Sequence, residues 1–316
     1  MASLPPRPRH LEFPGDWVQL AAHGAHGFIT RLVHRLPDGR LHLWHSRRHR
    51  KQRPPMVVEA PDGDGDIASH ERIEALEKRH PWRWVWWCWQ PARLAWWVGL
   101  IFFLGSWCFI FGTVPPTFPS VQEWLGSNDI EADWWCFAGS VFFTVGSWLQ
   151  WLEVLNAPPP QRADGAVAGR GAWRWWGWDP DRLDFRLSAV QLAGALLFNV
   201  NCWFSLYEGL PWQTANLIVW TPSTIASCCF IVAAHLGLVE VAHKPWGIKP
   251  YDIGWWTNLF GLLGAVGFFT SSVFGFFAQG PLQLPQWWGN DLALMMGSVF
   301  FLASTYLLIP ETALEK

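Results

Sequence analysis

The sequence predicts an all-α membrane protein, with six transmembrane helices forming three tandem parallel-repeat helical hairpins behind a small N-terminal cytoplasmic β-hairpin region. Three observations carry that expectation. Hydrophobic residues make up 51% of the 316 and charged residues only 15%, and beyond about residue 95 the apolar positions gather in runs of roughly 18 or more, enough to cross a bilayer core of about 30 Å. The stretch 139–153, GSVFFTVGSWLQWLE, recurs in pattern at 226–240 and 297–311. Lysine and arginine are absent from every second connection between the apolar runs.

Residues 1–80 form a basic, histidine-rich region of different composition. Residues 1–27 carry several prolines and read as an irregular arm. FITRLVHRL and RLHLWHS flank Pro37-Asp38-Gly39, which has turn chemistry, so a β-hairpin is expected over about 28–46. The run RRHRKQR concentrates Arg47, Arg48, Arg50, Lys51 and Arg53. Tethered close to a bilayer, these residues point to anionic lipid headgroups or to topology, and nucleic acid is not expected as a partner. His23, His26, His42, His45 and His49 lack cysteine neighbours and alternate across a hairpin, so no metal site and no cofactor are expected. After the acidic turn PDGDGD, Ser69 starts a short helix over 69–80, with Glu71 near its positive end, and Pro81 stops it.

The membrane domain is expected over 81–311. Its opening segment, WRWVWWCWQPARLAWW, is too rich in tryptophan for ordinary exposure and fits the headgroup boundary. Six spans follow, at about 95–113, 133–154, 187–207, 217–241, 254–278 and 289–310. Of the 23 basic residues, 15 precede residue 95. The others fall in the 155–186 loop, at Lys244 and Lys249, and at Lys316. All therefore lie on one side, which places both termini in the cytoplasm of a plasma (inner) membrane protein whose surroundings are the lipid bilayer. No charged-then-apolar leader opens the chain, so the first span is expected to insert it. The six cysteines sit in or beside apolar runs and imply no disulfide framework.

The repeat covers whole hairpins, at about 87–154, 176–241 and 246–311. Ser140, Ser227 and Ser298 are each followed by Phe143, Phe230 and Phe301 at plus three, and by Glu153, Glu240 and Glu311 at plus thirteen. In the preceding spans Gly105, Gly194 and Gly264 each stand four before Phe109, Phe198 and Phe268, and fourteen after Pro91, Pro180 and Pro250. A unit that crosses twice repeats in one orientation, so the copies are related by an axis near the membrane normal. Small residues recur one heptad apart. Gly139-Ser140, Ser227, Gly297-Ser298, Gly105, Gly194 and Gly264 thus mark helix contact faces, where backbones approach closely. Trp96, Trp97, Trp173, Trp175, Trp176, Trp178, Trp255 and Trp256 fit an inner aromatic belt, and Trp124, Trp134, Trp135, Trp212, Trp287 and Trp288 an outer one.

Glu153, Glu240 and Glu311 fall at the inner ends of their helices, where a carboxylate opposes the macrodipole and needs a cation. Arg93 and Arg182 are the expected partners for two of them, with Lys244 or Lys249 for the third, in an inner-surface ring of ion pairs. Gln191, Asn199, Asn201, His235 and Asn258 lie deeper and are candidates for function, since polar groups in hydrocarbon need partners. No P-loop, H-E-x-x-H, CxxC or G-x-S-x-G pattern is present, so an enzyme is not expected.

GSVFFTVGSWLQWLE, with WWVGLIFFLGSWCF before it, resembles the YrhK-like family of small integral membrane proteins. LSAVQLAGALLFNV and IGWWTNLFGLLGAVGFF look like the later spans of larger members in which related hairpins follow one another. The resemblance covers about 87–311. It implies a multispanning membrane protein and no activity, substrate or site residue. Mitochondrial carriers also build three hairpins, but they place proline, acid and base at the ends of odd spans, and here the prolines come before those spans. The expected role is therefore non-enzymatic, structural or interaction-based; the alternative is a small-solute or ion transporter or channel using the polar residues between repeats. A water-accessible cavity lined by Asn199, Asn201, Gln191 or Asn258 favours transport, and a dry interior filled by the small-residue stripes favours the structural reading.

Overall fold

Six long helices stand around one axis in the order in which the chain makes them. The computed structural model describes residues 13–53, 55–60, 69–79, 85–157, 172–278 and 285–313. The acidic turn at 61–66, Pro81 and parts of the 155–186 and 278–288 loops lie outside these. Helix α3 (Leu94–Thr117) is followed by the short α4 (Pro119–Leu125) and by α5 (Asp129–Leu155). Then come α6 (Leu183–Ser205), the single turn α7 (Trp212–Ala215) leading into α8 (Thr221–Ala242), α9 (Ile253–Phe277) and α10 (Leu292–Glu311). Each long helix packs on the next, and α10 returns to α3, which closes the ring.

Five of these segments are long and apolar enough to cross a membrane: Leu94–Thr117, Leu183–Ser205, Trp212–Ala242, Ile253–Phe277 and Trp287–Glu311. The sixth, α5, has the length but a different composition: Asp129, Glu131 and Asp133 open it, and tryptophan, glycine and serine dilute its apolar run. It nevertheless turns Trp134, Trp135, Val141, Val145 and Trp148 outward. Helix α3 runs through Pro115 and Pro116 to Thr117, past the boundary expected at 113, because the prolines fall in its last turn and only the N–H groups that would bond one turn back are lost. A wide π-turn, Asn216–Trp220 before α8 and Trp287–Asp291 before α10, opens two of the returning helices.

Close packing inside each hairpin comes from the repeated small residues. A Cβ on Gly139 would stand 2.9 Å from the Phe109 ring and 3.0 Å from the Gly105 carbonyl oxygen. On Gly297 it would stand 2.6 Å from Phe268 and 2.9 Å from the Gly264 carbonyl. The vacated space is filled by aromatic rings rather than left as a lumen. Phe109, Phe198 and Phe268 touch pairwise, with centroids 5.4 to 5.7 Å apart, and form one triangle across the axis. Phe143, Phe230 and Phe301 form a second layer, joined to the first at 5.0 to 6.1 Å. The ring interior is therefore plugged by six phenylalanines, one from each helix.

The interfaces between successive hairpins use hydroxyl and amide groups. Asn199 Nδ2 donates to Thr144 Oγ1 at 2.7 Å, Ser223 meets Ser272 at 2.6 Å, and Ser106 meets Thr305 at 3.0 Å. The segment before each odd helix is held in a matching way. Trp97 Nε1 donates to the Pro91 carbonyl, Trp256 Nε1 to that of Pro250, and Arg186 Nε to that of Pro180. Trp86, Trp87, Trp89, Trp175, Trp176, Trp178 and Trp246 project from these segments as an exposed belt. Trp96, expected in that belt, is 1% exposed because its indole turns inward and donates to the Cys88 carbonyl.

The N-terminal region folds as a four-stranded antiparallel sheet, β1 (Val18–Ala25), β2 (Phe28–Arg35), β3 (Leu41–His45) and β4 (Met56–Val58), in that order. The expected hairpin is its β2–β3 pair. Strand β1 lies in the stretch read as an irregular arm. It turns into β2 at His26 and Gly27, both at positive φ (54° and 83°), the backbone of a two-residue hairpin turn. Register shifts at Gln19/Ala21 and His23/Gly24 break its alternation, which hides the strand from a period-two reading. Helix α2 (His70–Arg79) covers one face of the sheet, burying Ile73 and Leu76 against Val33, Leu41, Leu43 and Val58. The short helix α1 (Ser46–Arg50) leaves β3 with no connecting loop and points at the helix ring.

Candidate functional site at the mouth of the helix ring

The three repeat glutamates converge where the ring opens toward the sheet, and α1 fills the space between them. Arg47 makes a bidentate pair with Glu311, Nε to Oε1 at 2.6 Å and Nη2 to Oε2 at 2.8 Å, and Lys51 Nζ adds a third bond to Oε2 at 3.0 Å. Arg50 spans two hairpins, donating from Nη2 to Glu240 Oε2 at 3.0 Å and from Nη1 to Glu153 Oε2 at 3.3 Å. Ser46 Oγ donates to Glu240 Oε1 at 2.6 Å. Three bases thus meet three acids, all buried. Each base sits at the negative end of a helix, which answers the clash between carboxylate and macrodipole. Burial works against the charge on Arg50, but Glu240 and Glu153 outweigh it and raise its pKa. Arg47 behaves likewise through Glu311. Burial prevails at Lys51 and lowers its pKa, with Glu311 opposing.

The expected inner ring of ion pairs is present in its acids and different in its bases. Arg93 donates instead to the Thr312 carbonyl at 3.4 Å. Arg182 folds back on Asp184 at 2.6 Å, a partner two residues away that costs little chain entropy to reach. Lys244 lies 3.6 Å from Glu74 and Lys249 lies 2.7 Å from Glu77, both on α2. Within the basic run, Arg47, Arg50 and Lys51 are buried against carboxylates rather than presented to lipid headgroups, whereas Arg48 and Arg53 are half-buried.

Beneath α1 and above the second phenylalanine layer lies a cavity of about 80 Å³. Arg47, Arg50 and Lys51 roof it, Gln150, Glu153, Gln191, Asn258 and Thr305 line its polar side, and Phe102, Phe143, Phe230 and Phe301 its apolar side. By volume it holds about two or three water molecules. Glu153 Oε1 is buried with no hydrogen-bond partner among the described residues. Of the deep polar residues singled out by sequence, Gln191 and Asn258 reach this cavity, Asn258 also donating to the Gly254 carbonyl at 2.7 Å. Asn199 is taken up by Thr144, Asn201 is buried in the α6 contact face, and His235 packs at a tilt on Trp246 with ring centroids 4.7 Å apart. Ser140, Ser227 and Ser298 bond to carbonyls of their own helices, at 2.7, 2.8 and 2.9 Å.

A second polar cluster joins the sheet, α2 and the ring, with Glu77 at its centre. Glu77 accepts from Arg31 at 2.7 Å, Lys249 at 2.7 Å and His45 at 2.9 Å. Burial raises the Glu77 pKa, but His45, Lys249 and Arg31 together override it and leave the group strongly acidic. Burial lowers His45, and burial with Lys249 and Arg31 lowers His243 well below the usual histidine range. Thr30 meets His243 Nδ1 at 2.9 Å. The ligand atoms of His45, Glu77 and His243 lie within 4.8 Å of one another, close enough for one ion. Arg31 and Lys249 already balance Glu77 and would repel a divalent cation there. Sequence reasoning missed Glu77, although its place beside Ile73 and Leu76 on one helix face was the available signal.

No family model matches the chain, nor does any curated protein or solved structure with which it was compared.

Proposed function

We propose that the chain is a six-span membrane protein of three tandem hairpins, YrhK-like in its repeat motif, with both termini on the cytoplasmic side of a plasma (inner) membrane. Its role in this reading is non-enzymatic: the helix ring is a sealed anchor that holds the N-terminal module at the membrane face as a structural or interaction platform. The observation that carries it is the convergence of Glu153, Glu240 and Glu311, one from the end of each hairpin, on one helix of that module. Convergence also supports six crossings. Helix α3 begins beside Thr312, near the end that carries Glu311, and α5 ends there at Glu153, so α5 returns from the far side although its composition is the least apolar. The matched bonds at Pro91, Pro180 and Pro250, and the two phenylalanine layers, support the triplication. The tryptophan belt at the same end supports lipid headgroup contact by indoles rather than by the basic run.

Transport is the second reading, favoured by the cavity that Gln191 and Asn258 line. Flux through purified protein in liposomes separates the two. The anchor reading expects vesicles that hold a proton gradient and retain small solutes as protein-free vesicles do; protein-dependent flux would replace it with the transport reading.

A further inference from the structure

We propose that the mouth of the ring is a binding site for a small guanidinium-type cation, and that Arg50 occupies it as a tethered internal ligand. This rests on the reading of the mouth as the socket of the N-terminal module. The Arg50 head group lies between carboxylates of two hairpins, Glu240 on one edge and Glu153 on the other, and planar forked donors suit that geometry. The site is larger than its occupant. Glu153 is 4% exposed, its second oxygen has no partner among the described residues, and it lines the cavity of about 80 Å³ with the amides of Gln150 and Gln191. Phe143 and Phe230 form the floor, and aromatic faces favour a cation.

Charge selects the ligand. With α1 seated, three acids and three bases cancel; with α1 lifted, the three carboxylates stand uncompensated around an aromatic-floored cavity. Helix α1 has five residues and no side-chain N-cap, so it has little stability of its own and is held by those ion pairs. A dissolved guanidinium competes for the same oxygens. The solute and the Arg50 head group therefore compete for one place, and each weakens the other's hold on it by the same factor.

The test uses the full chain in nanodiscs with methylguanidinium as the probe. Arg50→Ala is expected to lower the thermal midpoint and to speed amide exchange at 46–51. Methylguanidinium at low millimolar concentration restores the midpoint saturably, while sodium ion and urea do not. Adding Glu153→Gln weakens that response about tenfold, the loss of one charge-assisted hydrogen bond. A folded Arg50→Ala protein with fast exchange but no saturable response, or an equal response to sodium, overturns the cation site and leaves the socket standing. Unchanged exchange at 46–51 overturns the socket and the site with it. If Arg50→Ala does not fold, Arg50→Lys takes its place: its single ammonium is displaced by methylguanidinium at lower concentration than the native arginine, and equal resistance overturns the proposal.

Discussion

Replacing Glu311 by glutamine deprives two buried bases of their carboxylate. Glu311 takes both arms of Arg47, at 2.6 and 2.8 Å, and the Lys51 ammonium at 3.0 Å. After Glu311→Gln, the carboxylate left to Arg47 among the described residues is Glu240, whose oxygen is 3.8 Å away. Breaking a buried pair from one side costs about 3–5 kcal/mol. Lys51 limits its own share by losing its proton, which for an ordinary lysine at pH 7 costs about 4–5 kcal/mol. Lifting α1 out of the mouth is a further escape, so the penalty falls on docking before it falls on the helix ring. Native-state hydrogen exchange at 46–51 measures it directly, and about 3–5 kcal/mol corresponds to exchange roughly 10²–10⁴-fold faster. Combining Glu311→Gln with Arg47→Met and Lys51→Met removes the uncompensated charges and should recover protection to within about 1 kcal/mol of the native protein. A single substitution costing under about 1 kcal/mol, or a triple variant no better than the single, would refute the reasoning.

Gly297→Ala should lower stability by about 1–3 kcal/mol, since its Cβ meets both the Phe268 ring and a backbone carbonyl; thermal unfolding in detergent checks it. Phe268→Ala removes one of three rings that touch across the axis and should cost about 3–5 kcal/mol, with a rise in proton leak through liposomes showing that the plug has been opened. His42 gives the N-terminal module a pH dependence. Burial, with His45 adding, lowers its pKa from 6.5 to about 4. The folded form therefore stays neutral where the unfolded chain takes up a proton, so its contribution is complete above pH 6.5 and is lost as pH falls toward 4. That loss is about 3 kcal/mol. His42 packs on Trp17 at 4.6 Å, so urea melts followed by tryptophan fluorescence should show it, and His42→Phe should flatten the profile.

Much of the helical ring was legible because the recurring residue spacings carry a register of their own. The small residues, the three glutamates and the six phenylalanines were fixed in position by spacing alone. What spacing could not supply was the third dimension. Nothing in a constant offset says that Phe109, Phe198 and Phe268 meet on an axis rather than face lipid, since either side of such a helix is apolar. The bases opposite the glutamates were misassigned for a related reason. Arg93 and Arg182 are near them in the repeat, whereas Arg47 and Arg50 lie some hundred residues or more away in sequence and sit in a run that looks like a solvated arm. Only a folded sheet holds that run over the mouth. Strand β1 was lost to its register shifts, and Glu77 to its likeness to a surface helix charge.

Six crossings with the socket on the cytoplasmic side is the claim on which the rest stands, and cysteine accessibility in intact cells tests it most directly. Single cysteines at Glu123, Glu208, Trp175 and Lys244, each in a background free of other cysteines, would be exposed to a membrane-impermeant thiol reagent. The account predicts labelling of Glu123→Cys and Glu208→Cys from outside, and of Trp175→Cys and Lys244→Cys only after the membrane is opened. Labelling of either inner position in intact cells would contradict it.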